Sequence, residues 1–275
     1  MVSAKPFMAQ RHQTLTILSI VSAFFFLSPA LCHAQGISSK TRARIEAIFL
    51  KLEESHGIDA SYQNLRSYRI RNAVFDEIEE GEAGRFLAFL KVFSREIDKY
   101  PAGFFRKGGL FKVLFVKKLF FEKQPAQGVY RHPEGYMLFD IYRDFGNELN
   151  QRHGIHHEIF HMIDTTMPAD PRDPWSSFNE PDFVYEKQGR WHGERNKANY
   201  FAPQRLGFVT DYALVSAVED KAEVYACLFV PSQSRLIHKW QKKDPVLAKK
   251  ISHIKGLLQQ YYPKITPDFW QQLSK

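Results

Sequence analysis

The stretch from His157 to His161 reads His-Glu-Ile-Phe-His, and these residue types at this spacing could bind a metal ion and activate water. On an α-helix, side chains four residues apart project from the same face, one turn apart, so His157 and His161 can bind one ion together. Glu158 follows the first histidine, where its carboxylate can take a proton from water. This arrangement is typical of zinc hydrolases, which are usually peptidases.

The motif alone leaves a second interpretation open. A buried helix could carry two histidines that are hydrogen-bonded within the core, together with a solvent-exposed glutamate. A catalytic zinc ion normally takes a third protein ligand and keeps one position open for water. The metal interpretation therefore requires a further ligand from elsewhere in the chain.

The segment from Tyr212 to Glu223 offers the favoured third ligand. Glu219 and Glu223 are four residues apart, so both project from one face of a predicted helix. Glu219 could bind zinc, while Glu223 could hold a ligand histidine by a hydrogen bond from behind. The alternative is a solvated acidic helix face, and the upstream motif makes the ligand interpretation the favoured one.

Other residues on the motif helix are weaker candidates. Asp164 lies three residues after His161 on the same face, but three ligands from one unbroken helix do not easily converge on one ion. We therefore expect Asp164 to orient a histidine by a hydrogen bond. His153 lies one turn before His157, and His156 points elsewhere on the helix; we expect both to be structural or exposed.

Residues 1–34 have the features of a secretory signal peptide. A basic start is followed by an apolar stretch from Leu15 to Leu27, by Pro29, and by small residues before a predicted cleavage after Ala34. The apolar stretch is shorter than the roughly 20 residues that span a bilayer. An uncleaved anchor is the alternative. We expect an exported protein, periplasmic or extracellular, without stable membrane insertion after cleavage.

The chain that would remain after cleavage, residues 35–275, is mildly basic. It keeps 36 lysines and arginines against 30 aspartates and glutamates, because only Lys5 and Arg11 are removed. We expect this excess to be spread out, and the absence of an arginine-rich stripe argues against a nucleic-acid partner. Cys227 is the only cysteine left, so stability must come from the core and not from an internal disulfide.

Helical periodicity dominates residues 35–108, which we predict to be an N-terminal helical region. Apolar residues recur at helical spacing from Ser38 to Gly57. A second helix is predicted around Leu65–Ile78. A third is predicted near Arg85–Tyr100, where the following proline ends it.

Residues 109–275 are predicted to form the catalytic domain. Its first part, residues 110–142, is rich in β-branched and aromatic residues, and turn residues divide it into three or four predicted strands. The motif helix is predicted to follow directly, from about Gly146 to Thr165. We therefore predict an α+β fold in which a small mixed sheet packs on the motif helix and the remainder is mainly helical.

The part of the chain after the motif helix begins with a long irregular segment. Residues 166–212 are rich in Pro, Asp, Asn and Gly, and so long a segment without regular structure is usually functional. We expect it to line the cleft. Helices are then predicted at Tyr212–Phe229 and Ser234–Tyr261, with a short final helix that begins near Thr266.

The motif at His157–His161, taken with the pattern Tyr212-x6-Glu219-Asp220-x-Ala222-Glu223, resembles the gluzincins. The chain is most similar to the branch that contains anthrax lethal factor-like domains and related zinc metallopeptidases of secreted bacterial proteins. The resemblance extends from roughly Leu110 to Phe229. Phe160 departs from the lethal factor-like members, which carry glycine before the second histidine.

The resemblance implies a zincin-like metalloprotease fold and a Zn²⁺ ion held by His157, His161 and Glu219. It also implies that Glu158 is the general base and that the Tyr212 hydroxyl stabilises the oxyanion of the reaction. The alternative for Tyr212 is an ordinary aromatic residue of the core. The implied partner is a peptide or protein substrate.

The sequence therefore predicts an exported zinc-dependent peptidase, with two alternatives left open. The first is a catalytically silent binding protein on a zincin scaffold, which the intact Glu158 argues against. The second is a zinc amidase that acts on non-peptide or cell-wall amide bonds. By resemblance, an edge strand at Gly128–Tyr130 or Tyr136–Phe139 would pair with an extended substrate.

Overall fold

The computed structural model describes residues 38–68, 70–186 and 205–273. These residues belong to one compact unit, Gln35–Lys275. The predicted signal peptide at 1–34 lies outside the described residues, and so does part of the predicted irregular segment. In the described part of the chain, no helix is both long and apolar enough to cross a bilayer.

A six-stranded mixed sheet and eight helices make up the regular structure of these residues. The strands are β1 Asp59–Ser61, β2 Ala73–Asp76, β3 Lys112–Phe121, β4 Gln124–Pro125, β5 Gly128–Arg131 and β6 Tyr136–Asp140. The helices are α1 Ser39–His56, α2 Ala83–Ile97, α3 Phe104–Lys107, α4 Glu148–Thr166, α5 Ala217–Phe229, α6 Pro231–Trp240, α7 Pro245–Tyr261 and α8 Pro267–Leu273. The predicted α+β class with a small mixed sheet is confirmed.

Strand β3 organises the sheet. It pairs in parallel with β1 on one side and with β6 on the other, and β6 pairs antiparallel with β5. The short strands β2 and β4 pair with the C-terminal end of β3. As a result β5 lies at an edge of the sheet, next to α4, whereas β6 is an interior strand.

The prediction of a helix at Leu65–Ile78 is wrong. A 3₁₀ turn at Leu65–Ser67 and strand β2 occupy this segment. Asn64 and Asn72 adopt φ angles of 57° and 67°, a left-handed conformation that interrupts a helix on both sides of the turn. Since β1 and β2 both pair with β3, the N-terminal region supplies two strands to the sheet.

The helix predicted at Tyr212–Phe229 is divided in two. A 3₁₀ turn covers Tyr212–Leu214, and α5 begins only at Ala217. The side chain of Ser216 accepts a hydrogen bond from the backbone N–H of Glu219, which caps α5 at its start. The ligand candidate Glu219 therefore lies in the first turn of α5, and Tyr212 lies outside that helix.

The helix predicted at Ser234–Tyr261 is also two helices, α6 and α7. The Asp244 side chain accepts a hydrogen bond from the backbone N–H of Leu247, and Pro245 occupies the first position of α7. A cap followed by proline starts a new helix, which explains the division.

Helix α4 is the central element of the core. It contacts α2, α5 and β5, and most of its residues between Gln151 and Ile163 are buried. On the sheet side, the Phe93 ring of α2 packs edge-on against Phe115 of β3 and Phe139 of β6, at centroid distances of 5.1 Å. A helix fixed on several sides can hold side chains in one defined geometry.

His156 is buried in this core, with a structural role. Its Nε2 lies 2.8 Å from a carboxylate oxygen of Glu96, and its Nδ1 lies 2.6 Å from the Tyr100 hydroxyl. Burial lowers the pKa of His156 to about 4, although Glu96 acts in the opposite direction. The imidazole thus fastens α4 to α2.

Candidate metal centre

Helices α4 and α5 bring the three predicted zinc ligands together. The Nε2 atoms of His157 and His161 lie 3.0 Å apart. Oε2 of Glu219, on α5, lies 3.0 Å from Nε2 of His157 and 3.4 Å from Nε2 of His161. These three residues form a group whose ligand atoms could hold one metal ion.

The donor set fits a zinc ion. Zinc bound tetrahedrally, with nitrogen and oxygen ligands at about 2.0–2.1 Å, places its ligand atoms roughly 3.3 Å apart. The Nδ1 atom of His157 lies 2.8 Å from Oε1 of Glu223, which leaves Nε2 as the ring nitrogen available to a metal ion. Oε2 of Glu219 is buried and lacks a hydrogen-bond partner among the described residues. A cation between these atoms would satisfy all of them.

Glu158 is buried beside strand β5. Burial raises the pKa of its carboxyl, while the charges of His161 and His157 act to lower it. A Cβ atom at Gly128 would lie 2.7 Å from Cγ of Glu158 and 2.9 Å from the backbone oxygen of Leu138. Only glycine permits this approach of strand and carboxylate. A carboxyl with a raised pKa is suited to general base catalysis near neutral pH.

Glu223 accepts three hydrogen bonds behind His157. In addition to the bond from His157, its Oε1 accepts one from Nε2 of His153 over 3.1 Å. Its Oε2 accepts one from the hydroxyl of Thr210 over 2.6 Å. Burial would raise the pKa of Glu223, but the charge of His153 and these hydrogen bonds hold it well below its usual range. Glu223 therefore stays ionised and fixes the ring of His157.

His153, His157 and Glu223 form a second group that could hold a metal ion. All three are buried, and their polar atoms are already hydrogen-bonded to one another. A catalytic ion needs an open position for water. The group that contains His161 and Glu219 is only partly buried and is the better candidate for catalysis.

Tyr212 lies on the turn before α5, close to the predicted ligands. Its ring centroid is 5.7 Å from that of His157. Burial and then the charges of Glu219 and Glu158 raise the pKa of its phenol well above the ordinary value. The hydroxyl therefore remains protonated and can donate a hydrogen bond.

Asp164 does not orient a histidine, contrary to our expectation. Its carboxylate lies 3.9 Å from Nζ of Lys221 on α5, and no hydrogen bond joins it to a histidine in the part of the chain that the structure describes. The position three residues after His161 turns the side chain toward α5. Asp164 thus lies outside both groups of potential ligands.

Two residues to which the sequence assigned no role support the site. Thr210 accepts a hydrogen bond from the backbone N–H of Ala213 over 3.2 Å, so it links Glu223 to the turn that carries Tyr212. Asp220 accepts hydrogen bonds from the side chains of Trp175, Tyr185 and Lys250 over 2.7–2.9 Å. Asp220 is part of the pattern that carries the family resemblance, but neither its role nor that of Thr210 follows from local spacing, because their partners lie on other elements.

Burial raises the pKa of Asp220 to about 6, against the opposing charge of Lys250. Trp175 and Tyr185 belong to the irregular segment after α4, and Asp220 follows Glu219 directly. The carboxylate therefore fastens this segment to the first turn of α5, beside the candidate ligand.

Replacement of Glu223 by glutamine should weaken zinc binding by about 10- to 100-fold, the usual effect of losing a hydrogen-bond partner of a ligand. The amide keeps the size of the side chain, but it lacks the charge that attracts His153 and has only one oxygen to accept hydrogen bonds. Competition with a chromophoric chelator measures the affinity, and the exposed Glu46→Gln is the control. Equal affinity in parent and Glu223→Gln would show that this carboxylate does not support the site.

Comparison with known proteins agrees with this chemistry. Residues 127–264 match the model of a family described as "Putative zinc-binding metallo-peptidase". The fold is similar to that of a crystal structure described as a "putative zinc-binding metallo-peptidase" from Bacteroides caccae ATCC 43185, with a TM-score of 0.53 and 17% sequence identity over 86% of this chain and 92% of that chain. No curated protein matches the chain. Because the family model covers half of the chain, including His157, His161 and Glu219, the protein belongs to this family of zinc-binding metallopeptidases.

Proposed function

We propose that the protein is an exported zinc peptidase of the gluzincin type, in which His157, His161 and Glu219 hold the metal. The observation that carries the proposal is the convergence of the three ligand atoms at separations of 3.0–3.4 Å, beside the buried Glu158. The pattern at Tyr212–Glu223 supports a place in the lethal factor-like branch. Export rests on the pattern at residues 1–34, and a secreted chain that begins at Gln35 would support it.

When bound, zinc would act as a Lewis acid that polarises the scissile carbonyl and lowers the pKa of water toward neutrality. Glu158 would take the proton of the attacking water on its carboxylate and deliver it to the nitrogen of the leaving amine. Burial raises the pKa of Glu158, and a more basic carboxylate accepts the proton of water more readily in the first half of this transfer.

Tyr212 would donate a hydrogen bond from its hydroxyl to the oxyanion that develops on the substrate. Glu223 and Thr210 would keep the ring of His157 in place during the reaction. Strand β5 would position the substrate, because it lies at the sheet edge and Gly128 contacts Glu158. The other predicted substrate strand, Tyr136–Phe139, is interior and has no free edge.

Metal removal tests the proposal. The zinc-loaded protein should cleave members of a diverse peptide library, lose that activity on chelation, and regain it with stoichiometric zinc. Mass spectrometry of the products identifies the bond that breaks. A zinc-loaded protein that cleaves no peptide would favour the silent binding protein, and cleavage confined to cell-wall cross-links would favour the amidase.

A further inference from the structure

The C-terminal helices α6, α7 and α8 carry a concentrated positive charge. Residues 231–273 contain eight lysines and arginines but only two aspartates and no glutamate. We expected the basic excess to be spread out, and this count shows that it is not. Of the eight cations, only Lys250 forms an ion pair with a carboxylate within the described residues.

A groove of about 690 Å³ lies between these helices, a volume in the range of ligand-binding pockets. Its lining combines a cation and an aromatic ring with hydrogen-bonding groups, and it contains no carboxylate. The residues that matter for recognition are His238, Lys255, Gln259, Thr266, Trp270 and Gln271.

Lys255 is the cation in this lining. Its Nζ lies 3.4 Å from Nε2 of His238 and 5.3 Å from the centroid of the Trp270 ring. His238 donates its Nδ1 proton to the backbone oxygen of Ser234 over 2.6 Å, so its Nε2 accepts from Lys255. Burial lowers the pKa of the Lys255 ammonium, and no carboxylate raises it. A half-buried charge of this kind is stabilised by an anion.

Two further exposed cations lie on the helices that form the groove. Arg235 precedes His238 by about one turn on α6, and Lys249 precedes Gly256 by two turns on α7. Charges of one sign around a concave surface raise the local concentration of ligands of the other sign.

We propose that this groove is an exosite that binds an acidic segment of a peptide or protein substrate. The role of the groove as an exosite rests on the proposed peptidase function, but the binding of an acidic peptide to the groove does not. The glutamine amides of the lining can pair with peptide backbone groups, and Lys255 with a carboxylate. A membrane is disfavoured, because the exposed large apolar side chains of the described residues all lie outside residues 231–273.

The groove lies away from the metal centre. The ring of Trp270 packs 5.6 Å from that of Phe229, at the end of α5, whereas Glu219 lies in the first turn. Ten residues of helix separate these positions by roughly 15 Å. An extended substrate needs at least about five residues to span that distance. Binding at the groove should therefore lower KM and leave kcat unchanged.

Fluorescence anisotropy with a labelled hexaglutamate peptide tests the proposal, on the full chain from Gln35, both zinc-loaded and chelated. Lys255→Gln should weaken binding about tenfold, as expected for a hydrogen bond between charged groups. Lys255→Arg should retain most of the affinity. Lys91→Gln, an exposed lysine on α2, removes the same charge elsewhere and should change affinity by less than about twofold. Melting temperatures verify that all variants are folded.

Equal affinities of Lys255→Gln and Lys91→Gln would overturn the proposal, and so would equally tight binding of a hexaglutamine peptide. Tighter, Lys255-dependent binding of anionic phospholipid vesicles or of a DNA oligonucleotide would assign the groove to a different partner. Because the peptide assay needs no metal, loss of binding in the groove is distinguishable from failure of the zinc site.

Discussion

Replacement of Glu219 by alanine should remove most of the zinc from the protein, whereas the parent chain should hold about one ion per molecule. Glu219 supplies the only carboxylate oxygen within 3.4 Å of a ligand histidine Nε2 in the described residues. Without it, two histidines on one helix face remain, and we expect affinity to fall by more than about 100-fold. Inductively coupled plasma mass spectrometry of dialysed protein measures the zinc content directly.

The matched control for this experiment is Glu46→Ala, which removes an exposed carboxylate from α1 and should leave the zinc content unchanged. Retention of zinc by Glu219→Ala would move the third ligand to another residue. Absence of zinc from the reconstituted parent would instead show that the two histidines are ordinary core residues, which was the alternative interpretation of the motif.

Replacement of Glu158 by glutamine should lower turnover by about 10²- to 10⁴-fold and leave zinc bound, because positioned proton transfer contributes a factor of that size. Glutamine fits the same space against Gly128 but cannot accept the proton of water. The ratio kcat/KM on the best library substrate gives the effect, and zinc content is measured on the same sample.

Glu148→Gln is the control for that variant, since it makes the same chemical change at the start of the same helix. Glu148 is exposed and pairs with Arg95 at the surface, so its loss should alter activity little. Full activity of Glu158→Gln would exclude Glu158 as the general base.

The parts of this site that depend on local spacing could be predicted from the sequence. His157 and His161 lie one turn apart on α4 because four residues nearly complete a helical turn, and Glu219 and Glu223 share a face of α5 for the same reason. That the two histidines of α4 would lie close to Glu219 of α5 could be predicted only from the coordination chemistry of zinc, which requires a third ligand. Thr210 could not be found, because its role depends on contact with a residue on another element.

The predictions of secondary structure that are wrong failed for a similar reason. Strand β1 has three residues and pairs with β3 about fifty residues later, so its conformation depends on a distant partner and not on its own periodicity. Strand β2 is almost as short. A run of three or four residues is too brief to distinguish the strand period from the helix period. In the segment Tyr212–Phe229, the Ser216 cap lies within an apolar run and is a weak signal. In the segment Ser234–Tyr261, the pair Asp244-Pro245 divides α6 from α7 although helical periodicity continues on both sides.

The reactivity of the Cys227 thiol can be used to measure local opening of α5. It lies one turn after Glu223 on α5, it is buried, and burial raises the pKa of its thiol. Alkylating reagents attack an accessible thiolate, so they must wait until α5 separates transiently from its neighbours. In a chain that begins at Gln35 no other thiol competes for the reagent. The labelling rate of Cys227 therefore measures how often α5, the helix that carries Glu219, separates from its neighbours. A metal ion bound between α4 and α5 should lower this rate.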